Sequence, residues 1–198
     1  MKLARKLYFL FFLSFLAFHP MTGQAQERPK LDMTNLGKAW EDYTANPGKE
    51  TAVKLYEILP DGQVVRGAEV QAEVRELINQ KLYVLETQIY RGDRESLKVA
   101  FRLFTIADSE MQKSLAKIIG YLLRFDTRLF LEELMNYESL VPDLELVVCS
   151  FKLSAPGDIS QQTLEKNIRL KALGYIDDKE LKDIKKKCIK ILNKVKLE

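Results

Sequence analysis

Histidine is all but missing from this 198-residue chain, and the single copy, His19, lies close to the N-terminus. From residue 26 onward there is none. That removes histidine-based triads, histidine general bases and every histidine-containing zinc site from consideration. Cysteine is scarce as well, with two copies, Cys149 and Cys188. A metal site needs more donors than two thiols. There is no glycine-rich phosphate loop, no Gly-x-Ser-x-Gly elbow and no calcium-binding loop. Alternating strand patterns are nearly absent, and no apolar run reaches the ~20 residues a spanning helix needs.

The longest apolar run is Leu7 to Phe18, interrupted by Ser14 alone. Lys2, Arg5 and Lys6 precede it, His19-Pro20 breaks it, and Gly23-Gln24-Ala25 places small residues where a signal peptidase reads. This order of basic, apolar and small-residue segments predicts a cleavable secretion signal over 1–25, cut near Ala25. The expected location is therefore secreted or periplasmic. Residues 26–33 are expected to be a flexible polar lead-in, and 34–198 a single α-helical domain.

Removal of the signal changes the charge. The whole chain has 31 Lys+Arg and 28 Asp+Glu, and residues 1–25 contain three basic and no acidic residues, which leaves 28 of each sign. A net-neutral chain has no whole-protein attraction to nucleic acid, so no nucleic-acid partner is expected. In an exported protein the two cysteines allow one disulfide, closing a loop of roughly 40 residues and stabilising the fold by roughly 3–4 kcal/mol. The alternative is a pair of buried thiols acting as small hydrophobes.

Helical periodicity fills the domain. Leu36, Ala39, Trp40 and Tyr43 predict a helix over 34–45. Asn46-Pro47 predicts a cap and first turn for a second helix to Leu59. Pro60-Asp61-Gly62 ends it, and 61–67, with Val64-Val65 at the tip, reads as a loop. One long helix is expected over 68–90, then helices over 94–106, 109–124 and 127–138, with Asp93, Asp108 and Asp126 as their caps. Pro142 suits the first turn of a helix to Phe151, followed by an irregular stretch over 152–159. Ser160 is expected to cap a helix over 161–175, and Asp177 with Glu180 to form an acidic capping box for 178–196.

Helix starts at 93, 108, 126 and 142 imply two hairpins over 93–159, with a period near 33 and a third, basic hairpin over 160–198. This offset lays Leu97 on Phe130, Phe101 on Leu134, Met111 on Leu144 and Leu115 on Val148. The run Asp108-Ser109-Glu110-Met111, continuing through Leu115, Ala116, Ile118, Ile119, Gly120 and Leu122, resembles the second helix of a HEAT-like repeat. Gln112 stands where that family favours arginine, and Ile106-Ala107 lacks its Asp-Pro turn. A fainter likeness covers Asp178 to Lys182 with Cys188-Ile189. The resemblance implies an all-α fold of stacked antiparallel hairpins, a short α-solenoid that presents a surface to a partner, the alternative being an irregular helical bundle.

Candidate chemistry is thin. Glu95-Ser96 and Glu138-Ser139 resemble the catalytic Glu-Ser of exported lytic transglycosylases, but the Gly-Leu-Met-Gln segment that follows in that family is missing after both. The carboxylate pairs Glu132-Glu133 and Asp177-Asp178 point ~100° apart on a helix and do not converge on one atom. The strongest remaining feature is charge. Residues 160–198 hold 11 basic and six acidic residues, with Lys182, Lys185, Lys186, Lys187, Lys190 and Lys194 around an apolar stripe. Such a face either solvates a terminal helix or forms a contact surface. The expected function is non-enzymatic: an exported helical-repeat protein that mediates protein–protein interaction or scaffolding. An alternative is docking on an anionic membrane surface through the last helix, and a third is a carboxylate-based cell-wall hydrolase. No cofactor is expected.

Overall fold

The computed structural model describes residues 31–60 and 68–197, and these form eleven α-helices and one 3₁₀ turn with no strand among them. The expected signal over 1–25, most of the lead-in and the 61–67 loop lie outside the described residues. The helices are α1 (Met33–Ala45), α2 (Lys49–Ile58), α3 (Ala68–Asn79), α4 (Leu82–Tyr90), α5 (Arg94–Leu103), α6 (Ser109–Phe125) and α7 (Thr127–Tyr137). After the 3₁₀ turn Glu138–Leu140 come α8 (Leu144–Val148), α9 (Phe151–Ser154), α10 (Ile159–Gly174) and α11 (Lys182–Lys194). The all-α class read from the sequence is correct.

Aspartate punctuates the chain. Asp93, Asp108 and Asp126 accept the amides of Glu95, Met111 and Leu129 at 3.1, 2.9 and 3.1 Å, as expected of N-caps. Asp32 and Asp143 do the same for α1 and α8. Each carboxylate satisfies an amide left free by the first turn, a device that stabilises a helix by ~1 kcal/mol.

Several boundaries differ from those read in the sequence. Asp158, not Ser160, caps α10, accepting from the amide of Gln161 at 2.9 Å. Asn46 closes α1, and Gly48 rather than Asn46 precedes α2. The helix expected from 178 begins at Lys182, with no side-chain cap on its first turn. Asp178 instead accepts the amide of Glu180 and the guanidinium of Arg128. The single helix expected over 68–90 breaks at Gln80-Lys81, because α3 turns to pack on α1 while α4 packs on α5 and α6. The helix expected from Pro142 to Phe151 breaks after Val148, and Phe151–Ser154, read as irregular from residue 152, is helical.

The helices stack in two rows. In one, α2 packs on α5, α5 on α7 and α7 on α11; in the other, α4 packs on α6 and α6 on α8, α9 and α10. Contacts of α4 with α5, α5 with α6, α6 with α7 and α10 with α11 join the rows. Leu97, Phe101, Phe130 and Leu134 are all buried between them. Burying each such side chain stabilises the fold by about 1.5–3 kcal/mol. The 33-residue correspondence fades at α8, whose single turn faces a 17-residue α6.

The reason lies at Gly120. A Cβ there would sit 2.2 Å from both the Ser150 hydroxyl and the Val147 carbonyl oxygen. The chain at the end of α8 is thus pressed onto the backbone of α6. Arg169, only 2 % exposed, holds it there. Its guanidinium donates to the Val148 carbonyl at 2.8 Å and to the Ser150 hydroxyl at 3.2 Å, with its Cζ 5.1 Å from the Phe151 ring centre. Among the described residues no carboxylate pairs with it directly, and burial lowers its pKa to about 10.

Candidate functional site

Where α4 packs on α6, three aromatic rings from the two helices meet. Tyr90 of α4 lies 5.3 Å from Tyr121 and 5.5 Å from Phe125, both on α6, and the last two are 5.2 Å apart, all centre to centre. Tyr121 and Phe125 are 40 % and 49 % exposed. They sit four residues apart on α6, one turn along the same flank. Tyr83, seven residues before Tyr90 and therefore on the same side of α4, is 64 % exposed. Arg124 lies 5.9 Å over the Tyr121 ring and pairs with Glu165 of α10 at 2.6 Å, one residue beyond the exposed Leu164. Half-buried Tyr90 has its phenol pushed well above the usual range by burial and by Glu86. The result is an aromatic ridge with a neutralised ion pair at its edge. Ring spacings of 5.2–5.5 Å leave no room between the rings for a trapped cation, so the ridge offers its outer surface.

The sequence reading missed this cluster. Its trace was present, since Tyr83, Tyr121 and Phe125 fall off the buried stripes of their helices. What assigns them to one patch is the packing of α4 on α6.

The basic face of α11 divides in two. Lys185 donates to the Ile176 carbonyl, and Lys187 pairs with Glu138 at 2.7 Å. Lys182, Lys186, Lys190 and Lys194 are exposed and form no ion pair with a described residue. The apolar stripe of this helix, Ile184, Cys188 and Leu192, is buried in the core.

The carboxylates weighed for catalysis, Asp177 aside, are engaged. Glu95 pairs with Lys98 at 3.0 Å, and Ser96 is buried, bonded to Asp93 at 2.6 Å and to the Tyr43 hydroxyl at 2.8 Å. Arg94 clasps both members of the Glu132-Glu133 pair, and Arg128 extends the ladder from Glu132 to Asp178. The two glutamates titrate in opposite directions. Hydrogen bonding to Arg94 holds Glu132 below the usual carboxylate range, whereas burial raises Glu133, which is 1 % exposed and has one oxygen without a partner among the described residues.

Cys149 and Cys188 are both buried free thiols, the first just after α8 and the second on α11, which packs on α8. Burial pushes both up to about 12, so neither is a nucleophile at neutral pH. Among the described residues no group of three or more histidine, cysteine, aspartate or glutamate side chains could hold a metal, and no helix is long and apolar enough to cross a membrane. A groove of about 500 Å³ between α1 and α2 is lined by Lys38, Asp42, Lys54, Glu57 and Ile58 among others.

The two rows of packed helices define the class as an all-α protein compatible with a helical-repeat architecture. No protein-family model matches the chain, and no curated protein or solved structure is significantly similar to it.

Proposed function

We propose that this is an exported, non-enzymatic helical-repeat protein of HEAT-like build that binds a polypeptide partner on the outer surface of α4, α6 and α10. The observation that carries this reading is the ridge of half-buried Tyr90 with exposed Tyr121 and Phe125; Tyr83 of α4 and Leu164 of α10 are exposed as well. Aromatic side chains bring large, stiff apolar area at low entropic cost and dominate the central anchors of protein interfaces. The partner suited to it carries an apolar anchor, because Arg124 and Glu165 at the edge of the ridge already neutralise one another.

The test is crosslinking and capture of partners from the compartment of origin, with wild type compared against Tyr121→Ser/Phe125→Glu. Both positions are part-exposed on the rim of α6, so the variant keeps its helical circular dichroism. Loss of the captured protein at unchanged fold supports the reading. Equal capture by wild type and variant removes it.

A further inference from the structure

Four of the exposed lysines of α11 stand in an order that a merely solubilising face does not require. Lys182, Lys186, Lys190 and Lys194 follow at intervals of four residues. Each interval rises about 6 Å and turns about 40° around the helix axis. The row is therefore about 18 Å long and swings through about 120° from end to end. The single acid within the helix, Asp183, lies in its first turn. Lys187, at the margin of the row, is drawn aside by Glu138, and Lys185 by the Ile176 carbonyl. The remaining four ammonium groups have no carboxylate partner among the described residues.

We infer that this row is a track for a flexible, chain-like polyanion, a polymer bearing phosphate or carboxylate groups along its backbone. Three observations favour a thread over a membrane. The apolar stripe that would enter a bilayer, Ile184, Cys188 and Leu192, is already buried against the domain, so insertion requires α11 to undock. A plane laid on a helix touches only the residues near its line of tangency, and this row leaves that line as it winds. Lysine is also a flexible point charge with no preferred fork, suited to a polymer recognised by charge spacing rather than by bidentate geometry. The site is separate from the aromatic ridge and does not depend on it.

The experiment measures binding of the intact protein to fluorescently labelled inorganic polyphosphate and to a polyuronate by anisotropy. Wild type is compared with K182Q/K186Q/K190Q/K194Q and with a control that loses the same charge elsewhere, K38Q/K49Q/K54Q/K117Q. The expected result is saturable binding of at least one polymer and no competition by orthophosphate. Weakening should be about 50-fold between 50 and 200 mM salt, as follows from four neutralised charges on a single-stranded polyanion. The α11 variant should lose at least tenfold and the control less than twofold. Equal loss in both variants would reduce the effect to net charge and overturn the proposal. So would flotation of the protein with phosphatidylglycerol vesicles that neither polymer displaces, or absence of binding to both polymers at 50 mM salt. Circular dichroism and Tm of each variant, unchanged because all the replaced lysines lie on exposed or part-exposed helix surface, separate lost binding from lost fold.

Discussion

The Ser150 hydroxyl occupies the space in which a side chain at Gly120 would begin, 2.2 Å from where its Cβ would lie. Together with the Val147 carbonyl, it marks how closely α6 and the end of α8 approach.

Gly120→Ala forces this contact apart. The obstruction includes the Val147 carbonyl, which is backbone and has no rotamer in which to escape. Overpacking of this kind costs about 1–3 kcal/mol, and thermal unfolding should register it as a fall in Tm of about 2–4 °C for each kcal/mol. An unchanged Tm would mean that α8 floats on α6.

Arg169→Lys tests the buried cation from the other side. A guanidinium reaches the Val148 carbonyl and the Ser150 hydroxyl together; one ammonium on a shorter stem satisfies fewer of these acceptors. Loss of about 1–3 kcal/mol is expected from urea denaturation, despite the conserved charge. A neutral outcome would place the guanidinium outside the energetics of the α8–α9 break.

Glu132 and Glu133 give pH effects of opposite sign. Glu132 is held low, so its contribution is present above its unfolded pKa and is lost as the pH falls through the depressed native value. Glu133 is raised by burial, so the native state binds an extra proton between the unfolded and native values, and stability from this group increases as the pH falls through that window. Glu133→Gln keeps the shape and an acceptor for Arg94 while removing the titration. Its Tm should change less than that of wild type between neutral and mildly acidic pH. If the two profiles run parallel, Glu133 is not the titrating group.

Cys149 and Cys188 should be silent toward iodoacetamide at pH 8 in the folded protein, because both are buried and burial pushes both thiols up to about 12. Both should alkylate once the protein is unfolded in guanidinium. Mass spectrometry of protein unfolded without reductant distinguishes thiols from a bridge, since a disulfide made before α11 docks would resist alkylation until reduced. Rapid alkylation under native conditions would show that α11 opens.

The residues themselves determined the class of fold and most of its punctuation. Apolar positions at helical spacing, and aspartates placed where a first turn leaves amides free, are local signals with local causes; α1, α5, α6 and α7 were legible for that reason. Only the tertiary structure decided where continuous patterns break. The stripe across α3 and α4 reads as one helix until α3 must reach α1 and α4 must reach α5 and α6. The segment after Pro142 reads as one helix until Ser150 meets Gly120. Both candidate surfaces carry the same division. Lysines were visible as charge, but the separation of two engaged ones from four with no ion pair among the described residues depends on Glu138 and Ile176, and the aromatic ridge exists because α4 packs on α6. Periodicity says which side of a helix avoids water; it contains no information about which other helix supplies the cover, because that choice is made by contacts between residues far apart in the chain.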